Sequence, residues 1–424
     1  ASIFASNIGS EHLIGLAGAG ASSGMAMAHW EIQGWMILIL GWVFVPFYTR
    51  SMVYTMPEFL ERRYNPQSRT ILSVISLVSY VLTKVAVTVY AGGLVFQQVF
   101  GIKELWGIDF FWIAAIGLVV LTALYTIFGG MKSVLYTSVL QTPILLLGSL
   151  IILVLGFKEL GGWDEMMRVC GAVTVNDYGD TMTNLIRSND DANFPWLGAL
   201  IGSAIIGFWY WCTDQFIVQR VLSGKNEMEA RRGTIFGAYL KLLPVFLFLI
   251  PGMIAFALHQ KYIGAGGEGF LPMLANGTAN ADAAFPTLVA KLLPAGVKGL
   301  VVCGILAALM SSLASLFNSS AMLFTIDFYK RFKPETPEKK LVGIGQIATI
   351  VIVVLGILWI PIMRSVGDVL YTYLQDVQSV LAPGIAAAFL LGICWKRTSA
   401  QGGMWGLIAG MIIGLTRLGA KVYY

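Results

Sequence analysis

The sequence contains few charged residues, and this scarcity excludes most soluble folds. Only 12% of its 424 residues are charged, whereas 57% are hydrophobic. A soluble domain of ordinary composition carries about 25% charged residues. We therefore expect an all-α protein that crosses the membrane many times.

Residues that form disulfides or bind transition metals are also scarce. The four cysteines are far apart in the sequence, and there are three histidines. No CxxC, HExxH or GxxxxGK[ST] motif occurs, so the patterns typical of zinc sites and P-loops are absent from the sequence. A pump driven by ATP is thus not indicated, and uphill transport would have to use an ion gradient.

Long hydrophobic runs predict about 11 membrane spans by the length that a bilayer requires. They are centred at 1–24, 30–49, 70–99, 109–128, 135–157, 196–219, 233–259, 296–325, 341–363, 370–394 and 400–419. The first run has no polar flank, so we expect a further segment before it. Lys and Arg collect in alternate loops, which predicts that the first span runs from the inside to the outside.

The polar segment 158–195 divides the spans into five and five, with one more at the end. Because each half has an odd number of spans, the second half enters the membrane in the opposite sense, as in an inverted repeat. We predict repeats at 1–160 and 195–395 and an additional helix at 396–424. Equal counts also arise by coincidence, so matching helices are needed as support.

The first helix of each half contains a polar interruption. The first span carries ASNIGSEH at 5–12, and the sixth carries GFWYWCTD at 207–214. Discontinuous helices at corresponding positions are typical of a transporter's binding site near the bilayer midplane.

The eighth span carries a stripe of hydroxyl groups. Ser311, Ser315 and Ser319 are four residues apart, and Ser312 and Asn318 lie beside them on one helix face. Such a stripe often joins transmembrane helices. The alternative is an uncharged cage for an alkali cation, in which two of the hydroxyls join backbone oxygens. Its members would be Ala5, Ile8, Ala308, Ser311 and Ser312.

Five ionisable residues lie within predicted spans: Glu11, His12, Glu31, Lys84 and Lys241. An ionisable group in a membrane indicates a functional site, and the alternative is a structural ion pair or a side chain that reaches the interface. We interpret Lys84 as structural. Lys241 needs a partner, which Glu31 or a ligand hydroxyl would provide.

Several of the polar residues in the spans together suit an uncharged ligand rich in hydroxyls. Amides, an imidazole, an acid and a base offer many donors and acceptors, and aromatic side chains offer flat apolar faces. The candidates are Asn7, His12, Glu31, Lys241 and Gln375, with Tyr210 and Trp211 as the aromatic residues. This set favours a polyol over an amino acid.

Four longer motifs carry a resemblance to a known family. They are ASIFASNIGS at 1–10, YWCTDQFIVQR at 210–220, GAYLKLLP at 237–244 and LAALMSSLASLFNS at 306–319. With these motifs the whole chain resembles the sodium:solute symporter family, in particular its sodium/glucose cotransporter branch. The resemblance implies a LeuT-like fold and sodium-coupled symport of a hexose such as glucose or galactose. It also implies a plasma membrane or bacterial inner membrane location, no enzymatic activity and no nucleic-acid partner.

The resemblance also implies roles for individual positions. Those matching sugar contacts are Asn7, His12, Glu31, Lys241, Gln375, Tyr210 and Trp211. Those matching the sodium site are Ala5, Ile8, Ala308, Ser311 and Ser312. Those matching the outer gate are Leu16, Trp30 and Tyr371, while Tyr210 matches the inner gate.

Three positions depart from the family pattern. Gly207 stands where relatives present a polar side chain to the sugar. Ser138 replaces an aspartate near the sodium exit route, and Ala314 replaces a hydroxyl of members that bind two sodium ions. The last two favour one sodium per sugar.

Other functions are less consistent with the sequence. A channel would need rings of like residues along a pore. A membrane enzyme would use Glu31 and His12 as acid and base, but no nucleophile or metal set accompanies them. Among transporters, an inositol, a sialic acid or a monocarboxylate is the alternative solute.

Overall fold

The computed structural model describes residues 2–9, 11–53, 55–274, 277–366 and 370–423. Three positions with predicted roles, Ala5, Ser138 and Tyr371, have side chains outside the described part. The described chain is almost entirely helical. Its short hairpin pairs β1 (Glu104–Leu105) with β2 (Ile108–Asp109) in antiparallel register.

The helices divide at the polar segment between α10 and α11. Before it lie α1 (Ser2–Asn7), α2 (Ala17–Ser23), α3 (Ala28–Ile32), α4 (Met36–Ile39), α5 (Val45–Ser51), α6 (Met56–Arg63), α7 (Pro66–Ser79), α8 (Ala86–Phe100), α9 (Phe110–Leu160) and α10 (Trp163–Gly171). After it lie α11 (Trp196–Gly207), α12 (Gln215–Leu222), α13 (Glu227–Leu240), α14 (Ile250–Gly264), α15 (Ala284–Leu292), α16 (Ala295–Met322), α17 (Lys330–Phe332), α18 (Glu338–Val366), α19 (Leu370–Cys394) and α20 (Ala400–Tyr423).

Turns of other helical types connect several of these segments. π-Helical turns lie at Glu11–Leu16, Leu40–Phe44, Tyr80–Val85, Phe208–Thr213, Val245–Leu249 and Leu323–Tyr329. Short 3-10 turns lie at Gly24–Met27, Gln33–Trp35 and Ala281–Ala283.

Within the described residues, eight helical stretches are long and apolar enough to cross a membrane. They are Glu11–Ser51, Pro66–Phe100, Thr142–Leu160, Trp196–Thr213, Glu227–Gly264, Ala295–Phe332, Glu338–Pro361 and Tyr373–Cys394. The first of these covers the second half of the predicted span 1–24 and all of the predicted span 30–49, with a turn at Gly24, whose φ is 72°, between them. The prediction of a helical, multi-pass membrane protein is confirmed.

One predicted connection differs from the structure. We predicted separate spans at 109–128 and 135–157, but α9 is helical from Phe110 to Leu160. Two glycines, Gly129 and Gly130, lie between the predicted spans. Glycine lowers helix stability by about 1 kcal/mol without removing a backbone hydrogen bond, so this pair does not end the helix. The predicted loop between these spans is wrong.

Small residues allow the first and seventh spans to touch through their backbones. A Cβ atom on Gly252 of α14 would overlap the carbonyl of Ala17 in α2, and one on Gly20 would overlap the carbonyl of Leu249. Close approach at glycines is a common mode of helix packing in membranes. It brings the π-helical turn Glu11–Leu16 into the interior of the protein.

A buried aspartate links the connection between the seventh and eighth spans to α19. Asp282 is 3% exposed, and its two carboxylate oxygens accept hydrogen bonds from the amide of Leu370 at 3.1 and 3.3 Å. It also lies against Gly18, where a Cβ would stand 2.6 Å from Asp282 Oδ1. Burial raises the pKa of the Asp282 carboxyl from 3.8 to about 7, although the Leu370 amide acts in the opposite direction.

This shift predicts how stability depends on pH. Between about pH 4 and 7 the folded protein holds a proton on Asp282 that the unfolded chain has released, so stability falls as the pH rises through this range. Asp282→Asn keeps an acceptor for Leu370 and removes the titration. We expect the variant to unfold at a higher temperature than the parent at pH 8, with a smaller difference at pH 5, in thermal unfolding of purified protein. Parallel pH curves for the two proteins would contradict this account.

Candidate functional site

Both helices with predicted interruptions are discontinuous in the structure. The first span consists of α1, which ends at Asn7, and a π-helical turn that begins at Glu11. In the sixth span, the π-helical turn Phe208–Thr213 is followed by Asp214 in an extended conformation, with φ of −75° and ψ of 126°. The two breaks occur in the first helix of the chain and in the first helix after segment 158–195, as the sequence predicted.

Neighbouring side chains satisfy the polar groups that the second break releases. The hydroxyl of Tyr48 donates to the carbonyl of Cys212 at 2.7 Å. The Asp214 carboxylate accepts from the amide of Phe216 at 3.1 Å and thereby caps α12. Without such partners, free backbone groups inside a membrane each cost several kcal/mol.

Lys84 forms a buried ion pair at this break. Its Nζ lies 2.6 Å from Asp214 Oδ2, and the hydroxyl of Tyr80 donates to Asp214 Oδ1 at 2.6 Å. The ammonium also lies 4.5 Å from the centre of the Tyr210 ring, within the range of a cation–π contact. Lys84 therefore has the structural pairing that the sequence analysis expected, and it also faces a predicted site residue.

A second buried cation, Lys241, joins the seventh span to the first two. Lys241 Nζ lies 2.6 Å from Glu31 Oε2, 2.6 Å from Asn7 Oδ1 and 2.7 Å from His12 Nε2. Asn7 Nδ2 in turn donates to the hydroxyl of Tyr210 at 3.0 Å. The partner that Lys241 requires is therefore Glu31, as proposed, with two neutral groups beside it.

These contacts define the tautomer of His12. His12 Nε2 lies 2.7 Å from Lys241 Nζ and 3.2 Å from a Glu31 oxygen. Because an ammonium has donors and no lone pair, the shorter contact is a hydrogen bond that Nε2 accepts from Lys241. The proton of the neutral ring then lies on Nδ1, which is buried and has no hydrogen-bond partner among the described residues. His12 thus presents an unused donor inside the protein.

All seven predicted sugar-site residues line one small cavity, which we call the solute cavity. It encloses about 20 Å³, room for about one water molecule. The seven residues are Asn7, His12, Glu31, Tyr210, Trp211, Lys241 and Gln375. Residues that are up to 368 positions apart in the sequence thus meet at the two helix breaks.

Three further polar residues line the solute cavity and were not assigned to it from the sequence: Glu11, Gln33 and Gln378. Gln33 fills the space beside Gly207, because a Cβ on Gly207 would stand 2.8 Å from Gln33 Oε1. Gln378 lies one helical turn after Gln375 and so shares its face. Helical spacing is a signal that would have identified Gln378, whereas Gln33 depends on packing across helices.

Unpaired polar atoms surround the solute cavity. Besides His12 Nδ1, the oxygens Gln33 Oε1 and Gln375 Oε1 are buried and have no hydrogen-bond partner among the described residues. A buried acceptor without a partner costs about 1–3 kcal/mol. Such atoms indicate that a polar ligand or water completes the arrangement.

The hydroxyl stripe of α16 divides into two parts. Ser315 Oγ donates to the carbonyl of Ser311 at 2.5 Å, and Ser319 Oγ donates to that of Ser315 at 2.8 Å. The amide of Gln219 also donates to Ser319 Oγ, so this residue joins helices. The C-terminal part of the stripe therefore has the packing role that the sequence analysis set beside a cation cage.

The N-terminal part of the stripe lies against the break in the first span. A Cβ atom on Gly9 would overlap the hydroxyl of Ser312, and Ile8, Ala308 and Ser311 are fully or almost fully buried. These are members of the predicted cation cage. Among the described residues no group of three or more His, Cys, Asp or Glu side chains is placed to hold a metal ion. The cation cage stays a prediction.

The predicted outer gate residues occupy different positions. Trp30 lines the solute cavity beside Leu374 and Gln375. Leu16 is fully buried and is not among the described residues that line the cavity. The side chain of Tyr371 lies outside the described part, and the gate as a whole stays a prediction.

Comparison with known proteins identifies the family and the fold of the chain. The model of the sodium:solute symporter family matches residues 1–410. The chain is 38% identical over 431 residues to the human sodium/myo-inositol cotransporter 2, covering 99% of the chain and 63% of the relative. It is 40% identical over 442 residues to the sheep sodium/glucose cotransporter 1, covering 100% of the chain and 66% of the relative.

Solved structures show the same fold. A Na+-coupled sialic acid symporter in its substrate-bound outward-open state matches with a TM-score of 0.74 at 21% identity, over 99% of this chain and 88% of that one. Mhp1, a nucleobase-cation-symport-1 family transporter, matches with a TM-score of 0.51 at 14% identity, over 100% and 91% of the two chains. The predicted LeuT-like fold is confirmed. The chain spans less than two thirds of the length of the curated relatives above.

The contact between Gly9 and Ser312 yields a testable prediction. Gly9→Ala places a Cβ against the hydroxyl of Ser312 and 3.2 Å from the Ser312 Cβ, so the break and α16 must shift slightly. Overpacking of this kind costs about 1–3 kcal/mol. We expect a lower unfolding temperature for this variant in purified protein. Gly202→Ala is the control, because nothing lies within 4 Å of a Cβ at that position of α11. Equal unfolding temperatures for the two variants would show that the break does not contact α16 as described.

Proposed function

Because the chain belongs to the sodium:solute symporter family, we propose that it couples the entry of a sodium ion to that of a hexose or similar polyol. The family consists of transporters, so the membrane-enzyme alternative is set aside. Transport would proceed by alternating access in a multi-pass membrane protein. The repeats proposed at 1–160 and 195–395 would supply the two moving halves.

The observation that carries the choice of solute is the chemistry of the solute cavity. Its unpaired atoms are one donor, His12 Nδ1, and two acceptors, Gln33 Oε1 and Gln375 Oε1. A ring that carries several hydroxyls has both donors and acceptors to offer them. Trp211 and Tyr210 supply aromatic surfaces beside these groups for the apolar faces of such a ring.

The charges of the cavity argue against an anionic solute. The cavity is lined by the acids Glu11 and Glu31 and by one lysine, Lys241, which is already paired with Glu31. A sialic acid or a monocarboxylate would therefore enter without a free cation to meet it, and an unpaired charge within a membrane is costly. A neutral polyol avoids this penalty.

The small volume of the cavity implies a rearrangement during transport. About 20 Å³ cannot hold a six-membered ring, so the contacts around Lys241 would have to separate when the solute enters. Hydroxyl groups of the solute would then replace Asn7 and His12 as partners of the ammonium. The exchange of one set of hydrogen bonds for another lets a polar ligand enter at little net cost.

Sodium would bind where α1 ends against α16. We propose Ala5, Ile8, Ala308, Ser311 and Ser312 as its ligands, with one sodium per solute because Ser138 and Ala314 lack the groups of two-sodium relatives. The ion would hold the break of the first helix in the form that completes the solute cavity. Tyr210, which contacts Asn7 and Lys84, would act as the inner gate, with Leu16, Trp30 and Tyr371 as the outer gate.

Inositol is the second candidate solute. A relative named as a sodium/myo-inositol cotransporter is as similar to this chain as one named for glucose. Both solutes are six-membered rings with several hydroxyls, and the unpaired groups of the cavity suit either one. Competition of glucose, galactose, myo-inositol and sialic acid with a labelled sugar in proteoliposomes would decide between them.

Replacement of Lys241 tests the solute site. Lys241→Ala removes the cation that organises Asn7, His12 and Glu31, so we expect the half-saturating sugar concentration to rise by tenfold or more, with a smaller change for sodium. A charge-assisted hydrogen bond is worth about 1.5–3 kcal/mol, in line with this size. The control is Lys158→Ala, at the exposed end of α9. Sodium-driven uptake at varied sugar and sodium concentrations measures both quantities, and unchanged sugar dependence would refute the assignment.

Replacement of Ser312 tests the cation site. Ser312→Ala should raise the half-saturating sodium concentration more than the sugar concentration, because the variant loses a proposed sodium ligand. Ser315→Ala is the matched control one turn away, since that hydroxyl donates to its own helix. Should both variants respond to sodium as the parent does, Ser312 is not a ligand.

A further inference from the structure

Glu11 is a half-buried acid to which neither the sequence analysis nor the proposed function gives a role. It lines the solute cavity, and it also lines a second cavity of about 10 Å³. The second cavity, which we call the cation-side cavity, is bounded by Gly9, Lys84, Thr88 and Ser312. Glu11 and Asn7 are common to both cavities, so they form the wall between them.

Both lysines near Glu11 are already paired with other acids. Lys241 lies 2.6 Å from Glu31, and Lys84 lies 2.6 Å from Asp214. Glu11 makes no ion pair and no side-chain hydrogen bond to any residue that the structure describes. It is thus the one acid of this group without a direct partner in the described part of the chain.

The group has an excess of negative charge. The charged groups whose fields reach Glu11 are Lys84, Lys241, Glu31 and Asp214. His12 is neutral because its Nε2 accepts from Lys241. When Glu11 is ionised, three carboxylates stand against two ammonium groups, which leaves one uncompensated negative charge within the membrane, a costly arrangement unless a cation binds nearby.

A cation at the proposed sodium site would lie close to Glu11. The cation-side cavity reaches Ser312 and Gly9, which lie where α1 meets α16. A monovalent ion held there by neutral oxygens would bring the charge of the group to zero. On its other side, the carboxylate faces the solute cavity, where it is an acceptor for a hydroxyl group of the solute.

We propose that Glu11 joins the two binding sites, compensating the charge of the cation on one side and accepting a hydroxyl of the solute on the other. This inference rests on the proposed function and deepens it. Without the cation, the Glu11 carboxylate has no positive group to pair with, because Lys84 and Lys241 are paired with Asp214 and Glu31. With the cation bound, the carboxylate is held in the shared wall, where it accepts a hydrogen bond from a hydroxyl group of the solute. Each ligand then favours the other, and thermodynamic linkage requires the two effects to be equal.

Binding experiments without transport test this role. Purified protein in detergent is titrated with sodium chloride at constant ionic strength, and tryptophan fluorescence reports binding, because Trp30 and Trp211 line the solute cavity. The titration is repeated with a saturating concentration of the transported sugar. The variants are Glu11→Gln, which removes the charge, and Glu11→Asp, which keeps it. Glu165→Gln is the control, because Glu165 lies on α10, pairs with Arg168 and lines neither cavity.

For Glu11→Gln we expect the half-saturating sodium concentration without sugar to rise on the order of tenfold, as expected for the loss of one charge at short range in a protein interior. The sugar should then lower this concentration less than it does in the parent. Glu11→Asp should lie between the parent and Glu11→Gln. Glu165→Gln should match the parent.

Two results would overturn the inference. One is a folded Glu11→Gln variant that binds sodium as the parent does, with the same effect of sugar. The other is a Glu11→Asp variant whose sodium affinity is as low as that of Glu11→Gln, because the retained charge would then have no effect. If the amide variant fails to fold, a Glu11→Asp variant that binds sodium and responds to sugar as the parent does overturns the inference instead. An absence of any sodium response in the parent itself would instead refute the proposed function, so the two failures are distinguishable.

Discussion

A lysine ammonium in the middle of a membrane must be paired, and Lys241 is paired by side chains from two other spans. Its Nζ contacts Glu31, Asn7 and His12 at 2.6–2.7 Å. Because an unpaired charge there would cost several kcal/mol, these contacts hold the first, second and seventh spans together. The same groups line the solute cavity. One network therefore stabilises the fold and supplies the polar atoms of the site.

The second buried pair, Lys84 with Asp214, has a comparable effect on the sixth span. Asp214 caps α12 while it accepts from Tyr80 and pairs with Lys84. Tyr210 lies between the two networks, since it accepts from Asn7 and faces Lys84. A change at either helix break thus reaches the other through short contacts. This is the physical requirement for a protein in which one ligand alters the binding of another.

Much of the solute cavity was predictable, because polar residues in apolar spans are rare and therefore informative. Asn7, His12, Glu31, Lys241 and Gln375 were identified in this way, and all five line the same cavity. Gln33 was missed because its relevance depends on the space left by Gly207 on another helix. Glu11 was recognised as an ionisable residue in a span, but its position between two cavities is a property of the packed helices.

Hydrogen-bond partners were less predictable than positions. Spacing along α16 placed Ser311, Ser315 and Ser319 on one face, and the structure retains that face. The spacing by itself does not decide that Ser315 and Ser319 donate to their own helix while Ser312 contacts Gly9. That choice depends on which neighbour approaches within 3 Å. The continuous helix at Gly129 and Gly130 was equally hard to predict, because glycine weakens a helix but does not end it.

The amino-acid sequence by itself determined that the chain is helical and crosses a membrane, and where two helices break. These properties follow from hydropathy, from span length and from the positions of polar residues, which are costly in a bilayer unless other groups satisfy them. The tertiary structure alone decided which lysine pairs with which acid and which acid of this group has no direct partner among the described residues. Pairing of buried charges depends on distances of a few ångströms between residues up to 210 positions apart (Glu31 and Lys241), and no local pattern in the sequence encodes such distances.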